Sequence, residues 1–120
     1  MRHYDSAWAD LGHLLIATGR ADEGQLTLLE GVATGNVMCM LPLANRLAEQ
    51  GDRDGAEQLY RRGFELGDAH SAWNLSLLFE REGRDEDSES WLWKAAQAGD
   101  ESAVRALAED AGALDDDDTA

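Results

Sequence analysis

Residues 67–100 read GDAHSAWNLSLLFEREGRDEDSESWLWKAAQAGD, and the glycines of that stretch decide the fold. Gly67 and Gly99 stand 32 positions apart, with Gly83 midway between them. Working outward, Gly35 joins Gly67 and Gly99 in one column, and Gly19, Gly51 and Gly83 form a second, both at period 32. Leu11, Leu43, Leu75 and Leu107 keep the same spacing, and the small residues Gly12, Ala44, Ser76 and Ala108 run beside them. Columns held in one register over the whole chain define an internal repeat.

The two glycine sets fall 16 residues apart, which leaves about 13 residues for each helix, about 20 Å of length. A glycine suits the left-handed position just past a helix end, where a Cβ would clash. Asp52, Asp68, Asp85 and Asp100 follow the glycines and are placed to cap the next helix. First helices are expected near 5–18, 37–50, 69–82 and 101–111, and second helices near 21–34, 53–66 and 85–98. Pro42 falls within a first helix and removes a backbone donor, so that helix must start late or kink.

Apolar periodicity agrees. Trp8, Leu11, Gly12 and Leu15 repeat as Ala72, Leu75, Ser76 and Phe79, and Ala56, Leu59, Tyr60, Gly63 and Phe64 repeat as Ser88, Trp91, Leu92, Ala95 and Ala96. No unit buries its stripe alone, so stacked helix pairs must share one core. The expectation is an all-α solenoid of about 3.5 repeats. Its units lie near 5–36, 37–68 and 69–100, with a capping helix at 101–111. Together they make a repeat domain over 1–113, and 114–120 reads as a disordered acidic tail.

The net charge is −15, and Lys94 is the only lysine. Such a surface repels phosphates and anionic lipid heads, so neither nucleic acid nor membrane is an expected partner. One cysteine permits no internal disulfide, and no apolar run of signal-peptide length follows Met1-Arg2-His3-Tyr4-Asp5, so a cytoplasmic protein is expected.

These columns resemble the tetratricopeptide repeat. Trp8, Leu11, Gly12, Leu15, Gly19, Gly24 and Leu28 keep the spacing of its signature. Trp91-Leu92-Trp93-Lys94-Ala95-Ala96-Gln97-Ala98-Gly99-Asp100 resembles the Sel-1-like branch, continued by Ala103 and Leu107. Two features depart from the family: the period is 32 rather than 34 or more, and the repeat-ending proline is replaced by Gly-Asp or Gly-Asn. The resemblance implies a right-handed superhelix of antiparallel helix pairs that binds a protein or peptide along a concave face formed by first helices.

By the repeat register that face carries His13, Met38, Leu41, Asn45, His70, Trp73, Asn74, Leu77, Arg81 and Arg105. Trp73 has two open readings, an anchor for a partner in the groove or a core residue folded over the next unit. Trp93, off the stripe that holds Trp91, either marks an exposed contact patch or covers the edge of a helix pair. The lead-in Val37-Met38-Cys39-Met40-Leu41 offers adaptable methionines, for a partner or for core packing.

Catalytic and metal-binding readings find little support. His3, His13 and His70 are scattered, Cys39 shares a column with Ala7, Ser71 and Ala103, and the glycines serve helix ends. No cofactor, metal or catalytic residue is expected. The expected function is a non-catalytic protein-interaction module or adaptor. The alternative is a small acidic inhibitor or antidote that blocks a basic surface. A homodimer through the N-terminal repeat is a third possibility, since His13, Leu14 and Ile16 add apolar surface there.

Overall fold

A computed structural model describes the backbone of residues 6–118 and the side chains of residues 6–112. Seven α-helices follow in order: α1 Ala7–Ala17, α2 Ala21–Ala33, α3 Met40–Glu49, α4 Arg53–Glu65, α5 Ala69–Arg81, α6 Asp85–Gln97 and α7 Glu101–Asp118, with a 3-10 turn, Val37–Cys39, ahead of α3. The described chain has no strand, and the fold class is all-α, built from helices that pack with their neighbours in sequence. Among the described residues no helix is long and apolar enough to cross a membrane.

The repeat glycines terminate the helices as their spacing requires. Gly19, Gly35, Gly51, Gly67, Gly83 and Gly99 all have positive φ, between 76° and 104°. At each, the glycine N–H bonds back to one carbonyl of the last turn and the next N–H reaches one residue further back. At Gly99 these bonds are Gly99 to Ala96 and Asp100 to Ala95, both 3.0 Å. Paired bonds of this kind satisfy carbonyls that a helix end leaves open. The connections are therefore short, and within each unit consecutive helices pack as antiparallel neighbours.

Contacts divide the chain into two compact units, Met1–Asp68 and Ala69–Ala120, at the boundary between the second and third repeats. In the first, Ala9, Leu28, Cys39 and Leu43 form a buried cluster, joined by Trp8, Ile16, Val32, Leu47 and Leu59. Tyr60 is also buried, and its hydroxyl donates to Asn45 Oδ1 at 2.5 Å. In the second, Ala72, Leu75, Leu78, Phe79, Trp91, Ala95 and Ala103 are buried. Arg84 covers the ring of Phe79, and Lys94 that of Trp91, at 4.2 and 4.1 Å from the ring centroids.

Several elements differ from expectation. Pro42 resolves as a late start: α3 begins at Met40, so the missing N–H falls in the first turn, where no helical acceptor waits for it. Asp52 and Asp100 do cap, through bonds from the N–H groups of Gly55 and Ala103. Asp85 does not occupy a cap position, because the cap residue of α6 is the one directly after Gly83. Arg84 takes that place without a side-chain capping bond, and Asp85 lies in the first turn.

Ile16 points into the first unit's core rather than outward. Leu11 and Leu14, 46% and 60% exposed, form the outer surface of α1 instead. Finally, α7 does not stop at 111. Gly112 lacks the left-handed backbone of the repeat glycines, and the helix runs to Asp118, through most of the stretch read as a tail. Residues 119–120 lie outside the described residues.

Candidate functional site

The late start of α3 shapes a cavity of about 510 Å³ in the first unit. Asn36 fixes the turn ahead of α3. It is buried, and its side chain accepts the N–H of Met38 at 3.0 Å. The turn then directs Val37 and Cys39 inward, at 8% and 0% exposure, and leaves Met38 outward at 46%. Cys39 seats against Gly31 of α2 so closely that a Cβ there would lie 2.3 Å from its Sγ. Burial pushes the Cys39 thiol up from its ordinary pKa, which suits a packing role and not a nucleophile.

Ala9, Val37, Leu41 and Pro42 form the apolar lining, with Ala9 and Val37 buried and Leu41 and Pro42 half-buried. Met38 and Leu66, 46% and 45% exposed, stand at its rim. Ser6, Asp10, His13, Gly67 and Asp68 complete the wall among the described residues. Of the residues read from the sequence as groove-facing, His13, Met38 and Leu41 therefore converge. Asn45, one turn further along α3, does not line the cavity and is engaged by Tyr60.

Leu66, Asp10 and Asp68 escaped the sequence reading, which assigned the groove to a few positions of the first helices. Leu66 did carry a signal. Its column reads Thr34, Leu66, Ala98, so a large apolar residue stands just before the glycine only here.

In the second unit α5 presents His70, Trp73, Asn74, Leu77 and Arg81. Trp73, Asn74 and Leu77 are half-buried, and His70 and Arg81 are exposed. The Nδ1 of His70 lies 2.7 Å from Asp100 Oδ1, while Asp100 Oδ2 accepts the N–H of Ala103 at 2.9 Å. One buried carboxylate thus fastens α5 to the start of α7 and caps α7 as well. Asn74 spends an amide proton on the His70 carbonyl, at 3.1 Å. Arg105 is exposed on α7. Trp93 is 58% exposed on α6 and stands off the core that Trp91, at 8%, enters.

Among the described residues no group of three or more His, Cys, Asp or Glu side chains is placed to hold a metal ion. No protein-family model matches this chain, and no curated protein is significantly similar to it.

Proposed function

We propose that this chain is a non-catalytic protein-interaction module of the tetratricopeptide-like, Sel-1-like kind, and that the cavity of its first unit receives a segment of a partner protein. The observation that carries this reading is the pair Met38 and Leu66. Both are apolar, both are about half exposed, and they flank an apolar lining in one concavity. An exposed apolar side chain beside such a floor gains free energy when covered, roughly 1 kcal/mol for each half-buried Met or Leu. The cavity lies within the ~300–1,000 Å³ range of sites that hold a ligand-sized group. On α5 of the second unit, half-buried Trp73 and Leu77 are a separate candidate contact. With a net charge of −15, nucleic acid and anionic membranes are poor partners. A lone, buried cysteine suits the reducing cytoplasm.

Affinity capture from the native cell extract with wild-type, Leu41→Ser and Trp73→Ala chains tests the reading. The partner recovered by wild type should be lost with Leu41→Ser and reduced with Trp73→Ala, while circular dichroism shows both variants helical. A folded Leu41→Ser chain that retains every partner would remove the cavity from the interaction.

A further inference from the structure

We infer that the outer face of α2 is a second docking surface, and that its occupant is an amphipathic helix of a partner protein whose apolar stripe is flanked by basic residues. This face is separate from the cavity and takes a different occupant. Helix α2 buries Gly24, Leu28 and Gly31. Leu26 and Leu29, 60% and 44% exposed, lie on the other side of the helix. With Asp22, Gln25 and Gln50 they line an open depression of about 350 Å³ between α2 and the end of α3. Gln25 and Gln50 are joined there by two amide hydrogen bonds, at 3.0 and 2.9 Å.

The repeat supplies an internal control. Leu28 is answered by Tyr60 and Leu92 in the later repeats, so its apolar character belongs to the fold. The positions of Leu26 and Leu29 are filled instead by Gln58 and Arg61, and then by Ser90 and Trp93. Packing of the repeat therefore does not call for the two leucines.

The spacing gives the occupant its shape. Asp22, Leu26, Leu29 and Ala33 are all exposed and follow one another at intervals of four, three and four. That is the a and d pattern along which one helix packs on another. With Leu26 at a and Leu29 at d, Glu23 and Glu30 hold the e positions, which meet the flank of a partner helix. Both are exposed. Asp22 and Glu23 stand in the first turn, where the helix dipole favours acids, and Arg20 pairs with Glu23. Glu30 stands in the last turn, where the dipole opposes a carboxylate, so helix stability does not account for it. A lysine or arginine on the partner's flank answers it. A second copy does not: packed antiparallel it sets glutamate against glutamate, and packed parallel it offers Gln25 and Val32.

Three-heptad peptides supply the probes, titrated by fluorescence polarisation against the full chain. One has Leu at a and d with Lys at e and g, and one has Glu at the flanks, each kept monomeric by its own like charges. A third keeps the Lys flanks with Ser at a and d. The first should bind roughly tenfold more tightly than either of the others. Its affinity should fall roughly tenfold with Leu26→Gln/Leu29→Gln, which alters no charge, and roughly three- to tenfold with Glu23→Gln/Glu30→Gln. Leu26→Gln alone, the residue the second repeat carries, serves if the double variant melts early by circular dichroism. No binding of the first peptide, equal binding of the Glu-flanked one, or affinities unchanged by the α2 variants overturns the inference. A loss seen only with Leu41→Ser also overturns it, by placing the peptide in the cavity. A wild-type dimer in sedimentation velocity that Leu26→Gln/Leu29→Gln dissolves would give the face to a second copy instead.

Discussion

Helices α1 and α2 cross with Gly12 against Gly24, and α5 and α6 cross at the same repeat positions with Ser76 against Ser88. In the first pair the backbones come so close that a Cβ on Gly24 would lie 2.7 Å from the Gly12 carbonyl oxygen. In the third pair a hydroxyl fills the crossing, and Ser88 Oγ donates to the Ser76 carbonyl at 2.8 Å. The middle pair has Ala44 and Ala56 there, both fully buried. One repeat position thus tolerates nothing, a methyl or a hydroxyl, according to how near the helices approach. A column of small residues records a helix crossing, while the particular small residue records its distance.

Exchange of those residues breaks the comparison most directly. Gly24→Ser imports the third pair's side chain into the first crossing, where a backbone oxygen blocks it and cannot rotate away. A loss of about 3 kcal/mol is expected by urea unfolding, after the helix-propensity gain of roughly 0.5 kcal/mol that replacing glycine brings. Gly31→Ala is milder, about 1–2 kcal/mol, because the nearest atom in the way is the Cys39 side-chain sulfur rather than a backbone oxygen. In a Cys39→Ala background its cost should shrink, and a double-mutant cycle with no coupling would show that the two do not touch. Ser88→Ala, which gives the third crossing the middle pair's methyl, should cost about 1 kcal/mol for the lost hydrogen bond.

The smallest effect is that of pH on Cys39. Burial raises its folded-state pKa above that of the unfolded thiol. The resulting stability is complete below the unfolded pKa of about 8.5 and is lost as pH rises from there toward the folded value. Alkylation with iodoacetamide at pH 8 should therefore be slow in the native protein and fast in urea. Fast native alkylation would put the thiol at the surface.

The helix plan was legible because its turns demand a property that only one residue supplies freely. Each left-handed φ appears in the sequence as a glycine, so the period reports the backbone directly. Caps were legible where the acid directly follows the glycine, as at Asp52 and Asp100, and misread at Asp85, which lies one position further on. Pro42 announced a disturbance, but a proline alone does not say whether the helix bends or waits. That outcome depended on Asn36 and on the packing of Cys39 against Gly31.

The cavity was half legible for the same reason. Met38 and Leu41 follow from helix register, whereas Leu66 arrives from the end of another helix and meets them only in three dimensions. Side chains on the outer turns were least legible. The spacing put Trp91 on the apolar stripe and Trp93 off it, but their exposures of 8% and 58% depend on how neighbouring helices close over them.

The glycine-centred turns also bear on how fast the protein forms. Every helix pairs with one that the ribosome has just made or is about to make, across a connection of only a few residues. Little loop entropy must be given up before a pair gains its contacts, and chains dominated by such local pairings fold on the order of microseconds to milliseconds. A helix pair can thus be in place before distant parts of the chain have been synthesised.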